Sequence, residues 1–386
     1  MSNPSFSTFE LDVSQAVRAR YSAAAQAAEP ALCCAVVYDP ERLRLIPAEV
    51  IERDYGCGDP TRHVRAGETV LDLGSGGGKA CFLASQAVGP EGRVIGVDVN
   101  DEMLALARGA NPEFARRVGY ENVRFCRGQI QDLRLDRDRL DAWLAEHPVR
   151  SELDYRRLEA EIERLRRDEP LIPDGSVDVV VSNCVLNLVH PEDKAKVFAE
   201  CFRVLKRGGR VVISDIVSDE EVPEALRLDP ELWSGCISGA VQERAFLRAF
   251  EEVGFYGVTL LERQEKPWRT VQGIEFRSLT LAAYKGKDGP CWDHREALIY
   301  KGPWRRVEDD DGHVFERGAP TAVCRKTFRI MSSAPYAEQM IPVEPLTPVT
   351  EPRPFPCTGG ALLRDPRETK GEDYTATVEG CEPGCC

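Results

Sequence analysis

Seven consecutive residues, Asp72-Leu73-Gly74-Ser75-Gly76-Gly77-Gly78, place a carboxylate and four glycines between an apolar run and a helical pattern. Glycines there let a turn approach a ligand at the carboxyl end of a strand. A dinucleotide asks for G-x-G-x-x-G/A; Gly74 and Gly76 fit the first two places, but position 79 is Lys. A phosphate loop of the G-x-x-x-x-G-K-S/T kind fails as well, because Ala80 follows Gly78-Lys79 and position 73 is Leu. What remains is a nucleoside without phosphates whose amino-acid end lies over Gly74, Ser75 and Gly76. That describes S-adenosylmethionine, and the expectation is a methyltransferase. Asp98, 24 residues after Gly74, ends the next strand pattern, where a carboxylate can accept both ribose hydroxyls. Asp72 would reach the cofactor directly or through water. Met103 would pack on adenine, with Gly128-Gln129-Ile130-Gln131 facing the other side of the base.

Thiols are the second chemical feature. The chain has 14 cysteines, which in a large chain without an export signal points to metal, metalloid or redox work. Cys81, Cys126 and Cys201 sit inside apolar runs and read as inert core thiols. Cys57 lies just before the first strand pattern, Cys184 at the end of the fourth and Cys236 after the fifth. Singly, each reads as an inert thiol. Together they fall on loops that could converge over the methyl group. His190, His294 and His313 show no paired spacing for a zinc site. Cys381, Cys385 and Cys386 close the sequence, as a metalloid-binding tail or as an end with no role.

The rest of the chain must supply the elements that hold these residues in place. Residues 1–63 read as an N-terminal cap segment carrying Cys33, Cys34 and Cys57, with a helix over Gln15–Ala28. Residues 64–284 alternate strands and helices, predicting a doubly wound, Rossmann-like α/β domain. Strands are expected at 68–74, 93–98, 123–127, 176–183 and 210–216, then at 258–263 and 276–284. A helix over 193–205 should be closed by Lys206-Arg207-Gly208-Gly209, and another is expected over 242–253. Residues 133–170 form a charged helical insertion with Leu158, Ile162 and Leu165 on one stripe. Residues 285–342 read as a small, mostly β domain with strands at 297–302 and 321–330. Residues 343–386 read as a Pro-rich tail.

The net charge of −14 opposes a nucleic-acid partner. No run of apolar residues is long enough to span a membrane. A cytoplasmic monomer acting on a small molecule is the expectation.

The sequence resembles the arsenite methyltransferase family. The likeness rests on Tyr55-Gly56-Cys57-Gly58, Asp72–Gly76, Val94–Asp98, Ser182-Asn183-Cys184-Val185-Leu186-Asn187-Leu188 and Gly235-Cys236-Ile237-Ser238-Gly239-Ala240, and covers residues 30 to 280. It implies that Cys57, Cys184 and Cys236 hold trivalent arsenic, and that Cys33 or Cys34 joins redox turnover. It implies donor contacts from Tyr55, Asp72, Gly74, Ser75, Gly76, Asp98, Met103, Ile130, Gln131 and Ser182. The chain departs from the family at Gln131, usually Glu, at Asn100, usually Thr, and in the length of the 133–170 insertion.

Trivalent arsenic is soft and prefers thiolates. Its lone pair needs no general base, so the protein's task is positioning. The implied turnover leaves methylated arsenic on Cys184 and Cys236 while Cys57 pairs with Cys33 or Cys34, with thioredoxin or glutathione as reductant. Two other functions use the same motifs: methylation of a small organic molecule, which needs none of the three cysteines, and metalloid binding without turnover.

Overall fold

The computed structural model describes residues 4–27, 29, 36–227, 229–357 and 359–377. It forms two compact units, residues 1–285 and 286–386.

In the first unit α1 (Pro4–Gln26), α2 (Pro40–Arg44) and α3 (Ala48–Glu52) precede the sheet. Strands and helices then alternate: β1 (Thr69–Leu73), α4 (Lys79–Val88), β2 (Arg93–Asp98), α5 (Asp101–Val118), β3 (Val123–Arg127), α6 (Arg137–Glu146), α7 (Glu152–Asp168), β4 (Val177–Asn183), α8 (Pro191–Val204) and β5 (Leu205–Ser218). Next come α9 (Glu224–Arg227), α10 (Pro230–Ser234), β6 (Val241–Gln242), α11 (Glu243–Val253), β7 (Tyr256–Arg263), β8 (Arg269–Val271) and β9 (Ile274–Tyr284). The main sheet runs β3-β2-β1-β4-β5-β9-β7. Strands β1 to β5 are parallel, and β9 is antiparallel to both β5 and β7. This is the doubly wound α/β fold expected. The chain steps outward from β1 to β3 and returns to lay β4 beside β1, which opens a crevice at the carboxyl ends of β1 and β4.

Alternation along each strand builds two cores. Leu71, Val180 and Val211 face one side with Phe198 and Phe250 of α8 and α11. Val70, Val179 and Val212 face the other with Phe82 and Phe114 of α4 and α5. Both faces are covered, so β4 is apolar almost throughout. The Asn100 side chain caps α5 by accepting the Met103 amide at 3.0 Å. In the insertion, α6 and α7 bury Leu140 and Leu165 against Leu158 and Ile162, the stripe expected. Helix α1 is pinned to the start of α5 by Arg18–Asp101 at 2.9 Å and by Ser22 Oγ donating to Glu102 at 2.8 Å.

Lys206–Gly209 does not form a loop closing α8. It lies in β5, where the Gly208 amide donates to Lys285 O at 2.7 Å and continues the pairing with β9.

The second unit contains β10 (Trp292–Asp293), β11 (Ala297–Tyr300), β12 (Arg306–Glu308), β13 (Val314–Glu316), β14 (Pro320–Ala322), α12 (Arg325–Met331), β15 (Met340–Val343), β16 (Arg353–Pro354) and α13 (Pro366–Lys370). Strands β14-β11-β15 form one sheet, while β10 pairs β16 and β12 pairs β13. Leu298, Tyr300, Phe315, Phe328 and Met331 share its core.

Two expectations fail here. The strand predicted over 321–330 stops at Ala322, because Cys324 caps a helix and puts Phe328 and Met331 on one buried face. The segment after 342 is no loose tail as far as residue 377. Strand β16 pairs β10, and Arg364, only 6% exposed, donates to Asp293 at 2.6 Å and Glu368 at 2.6 Å. Proline content concealed that pairing. Cys381, Cys385 and Cys386 lie outside the described residues. Among the described residues no helix is long and apolar enough to cross a membrane.

Candidate active site

A cavity of about 420 Å³ occupies the crevice beyond β1 and β4. Its floor is the glycine turn after β1. Gly74 has φ +68° and lies so close to Val185 that a Cβ would sit 2.5 Å from that side chain. Only glycine meets both demands. Lys79, the residue that broke the dinucleotide fingerprint, does not enter the cavity wall. It is 7% exposed, ion-paired with Asp54, and lies 3.6 Å from the centre of the Tyr38 ring.

The Asp98 carboxylate accepts the amides of Gly76 and Asn100, each at 2.8 Å. Burial raises its pKa, and those amides oppose the rise. Burial carries Asp72 to about 7, although the Cys81 thiol donates to it at 3.2 Å. The Tyr55 hydroxyl donates to Ala24 O at 2.9 Å, and its ring meets Tyr21 of α1 edge-on at 6.2 Å. Helix α1 thus supplies one wall through Arg18 and Tyr21.

The loops carrying Cys57, Cys184 and Cys236 meet in one buried cluster at this end of the sheet. Cys184 lines the cavity, and a disulfide joins it to Cys57. The Cys236 thiol points at Cys184 O, 3.6 Å away, and is 3.9 Å from the Tyr21 hydroxyl. Cys184 and Cys236 both adopt positive φ, 60° and 62°. A side chain there costs about 1–3 kcal/mol, so surrounding bonds must hold it.

Those bonds are visible. Asn183 Oδ1 accepts the amides of Cys57 at 2.8 Å and Gly58 at 3.1 Å, while its Nδ2 donates to Gly58 O at 2.7 Å. Asp215 accepts the Leu186 and Ile216 amides at 2.8 Å. Asn187 Nδ2 donates to Ile216 O at 2.6 Å and Cys236 O at 3.3 Å. Gly239 passes so close to Asn187 O that no side chain fits. Lys194 donates to Gly239 O. Burial lowers the Lys194 pKa and raises that of Asp215, while their mutual attraction resists both shifts.

The cavity wall therefore includes Tyr55, Asp72, Gly74, Ser75, Gly76, Asp98, Met103, Ile130, Gln131 and Cys184. Ser182 is not part of it. Its fully buried hydroxyl donates to Leu73 O at 3.2 Å, tying β4 to β1. The expected pairing of Cys57 with Cys33 or Cys34 is also not what the structure holds, because Cys184 lies within bonding reach of Cys57. Cys33 and Cys34 lie outside the described residues. Residues missed from sequence are Tyr21, Asn183, Asn187, Lys194 and Asp215. A signal existed for Asp215, a carboxylate inside the apolar run Val211-Val212-Ile213-Ser214-Asp215-Ile216-Val217. Cys81, Cys126 and Cys201 are buried free thiols, each with its pKa raised by burial.

A family model described as a methyltransferase domain matches residues 65–171 and 149–254, and one described as a domain of unknown function matches 287–374. The chain is 32% identical over 307 residues to an arsenite methyltransferase of Aquipseudomonas alcaligenes, covering 76% of this chain and 78% of that one. It is 29% identical over 370 residues to an arsenite methyltransferase of Homo sapiens, covering 90% and 87%. Among solved structures, an arsenic(III) S-adenosylmethionine methyltransferase from Chlamydomonas reinhardtii aligns with TM-score 0.55 and 28% identity, over 79% of this chain and 96% of that one.

Proposed function

Because the chain belongs to the arsenite methyltransferase family, we infer that it transfers a methyl group from S-adenosylmethionine to trivalent arsenic. The observation that carries this function is the meeting of Cys57, Cys184 and Cys236 in one buried cluster whose Cys184 lines a cavity of about 420 Å³. A donor cavity alone would serve an organic acceptor equally well. The three thiols select a soft one.

The residues present fit the donor. The turn at Gly74–Gly76 leaves room for its amino-acid end, Asp98 offers free lone pairs to the ribose, and Met103 and Ile130 offer apolar faces to the base. When bound, S-adenosylmethionine supplies an electrophilic methyl on a sulfonium.

Arsenic enters as substrate and exchanges its hydroxyls for thiolates of the reduced enzyme. Each exchange breaks one As–O bond, forms one As–S bond and releases one water, the thiol proton leaving on the hydroxyl. Cys184 and Cys236 hold it at the cavity, and their positive-φ backbone, fixed by Asn183, Asn187 and Asp215, sets the angle of approach. Methylation takes arsenic from the trivalent to the pentavalent state, so two electrons must return before the trivalent product leaves. The Cys57 thiolate supplies them by attacking the Cys184 sulfur: the S–S bond forms, the bond from Cys184 to arsenic breaks with its electron pair left on arsenic, and the trivalent methylated product stays on Cys236 until it leaves. The Cys57–Cys184 bond supports this assignment. Cys33 or Cys34 then attacks Cys57, moving the disulfide outward and freeing Cys184 as a thiol. Thioredoxin or glutathione, itself oxidised to a disulfide, resets the enzyme. This thiol chemistry suits a reducing cytoplasm.

The test is incubation with arsenite, S-adenosylmethionine and a thiol, followed by product speciation with elemental mass spectrometry. Methylarsenicals are expected. Donor binding with no methylated arsenic would overturn the assignment.

A further inference from the structure

The second unit carries thiols that the methyl-transfer site does not use. Cys291, Cys324 and Cys357 place their sulfurs within 4.8 Å of one another. All three are free cysteines. They come from distant stretches of chain, so their meeting is a product of the fold. Cys291 immediately precedes β10 and Cys357 follows β16, its partner strand. The Phe355 amide donates to Cys291 O at 2.9 Å, and the Cys357 amide to Phe355 O at 3.0 Å. Cys324 sits at the start of α12, its sulfur accepting the Thr327 amide at 3.5 Å and lying 3.4 Å from the Thr327 hydroxyl.

We propose that Cys291, Cys324 and Cys357 form a second, three-thiolate site that binds trivalent arsenic in the C-terminal unit. The identity of the ion rests on arsenite being the substrate; the existence of a site for a soft ion rests on the geometry alone. Burial is graded across the trio: Cys324 is fully buried, Cys291 half-buried and Cys357 exposed. An inner thiol anchors the ion while an outer one meets it from solvent.

Coordination number decides between ions. Among the described residues no fourth histidine, cysteine or carboxylate joins the group. A structural zinc site closes with four ligands, whereas trivalent arsenic is complete with three, its lone pair filling the fourth direction. Charge points the same way. Three thiols and arsenous acid give a neutral trithiolate and three waters: three As–O bonds break, three As–S bonds form, and each thiol proton leaves on a hydroxyl. Nothing is oxidised. A neutral product suits the apolar seat made by Ala322 and Phe355, where a charged zinc trithiolate would be penalised.

The experiment uses the full, reduced chain. Arsenite is added, unbound arsenite is removed by desalting, and arsenic per chain is counted by elemental mass spectrometry. Parent, Cys291→Ser, Cys357→Ser and Cys184→Ser are compared, with methylation measured alongside. Cys291→Ser and Cys357→Ser should each lose about one arsenic atom per chain. Cys184→Ser should lose methylation while keeping the arsenic of the second unit, with three sulfur neighbours by X-ray absorption. Undiminished arsenic in Cys291→Ser and Cys357→Ser would overturn the proposal, as would a zinc ion in this site that arsenite cannot displace. If Cys184→Ser still methylates while Cys357→Ser loses arsenic, the first site is wrongly assigned and the second stands. Cys357 is exposed, so its replacement leaves the core intact; far-ultraviolet circular dichroism checks this.

Discussion

Each unit gathers three cysteines, and the two clusters differ in everything except sulfur. In the first unit Cys184 and Cys236 stand on positive-φ backbone, braced by Asn183, Asn187 and Asp215, at the edge of a cavity of about 420 Å³. In the second, the trio sits between a short strand pair and a helix start. Thiols alone suffice to hold a soft ion. Thiols held in a strained arrangement against a donor cavity can also aim it. On the proposed function, reactivity at the first cluster comes from placement, which is where positioning energy matters most.

The largest expected effect would break this contrast outright. Cys184→Ser should lower arsenite methylation below about one-hundredth of the parent rate, read by product speciation, because a misplaced nucleophile loses its effective molarity. Retained activity would mean that aim does not depend on this cluster.

Next is the donor side. Asp98→Ala should weaken S-adenosylmethionine binding by roughly 10- to 100-fold in a calorimetric titration, the scale of charge-assisted hydrogen bonds. Arsenite binding to the second unit should not change, since Asp98 belongs to the first.

Bracing can be tested separately. Asn183→Ala strips the partner from the buried amides of Cys57 and Gly58. A loss of about 1–3 kcal/mol in denaturant unfolding of the reduced chain is expected. An unchanged midpoint would show that the loop holds itself.

The smallest effect is a pH dependence. Asp72 titrates at about 7, raised mainly by burial. It becomes anionic as pH climbs through that value, which favours a cationic donor. Donor affinity should therefore rise a few-fold from pH of about 6 to about 8, and Asp72→Asn should flatten the curve. Stability runs the other way. A raised carboxylate pKa contributes stability at low pH that is lost as pH rises from the unfolded value toward about 7, and the Asn variant should not show that loss.

Local pattern carried much of this. Val177–Asn183 reads as a buried parallel strand because both its faces are covered, and Asp98 is legible because strand length fixes where the second strand ends. The loop from Asp72 to Gly76 is legible because a glycine cradle has few uses. Other features were hidden. Thr321–Ile330 alternates well enough for a strand, but capping by Cys324 and burial of Phe328 and Met331 turn most of it into helix. Ser182 sits within a motif of site residues, yet its hydroxyl is taken by Leu73 O.

Residue pattern alone was enough for the fold class and for the glycine turn after β1, and it marked Cys57, Cys184 and Cys236 as candidates. These depend on periodicity and short spacings, which neighbouring residues impose on one another. The folded chain adds that Cys184 bonds Cys57, that Asn183, Asn187 and Asp215 brace the thiol loops, and that Cys291, Cys324 and Cys357 meet. Such contacts join residues far apart in the chain. Core packing and strand pairing set the distance between them, and no local pattern encodes it.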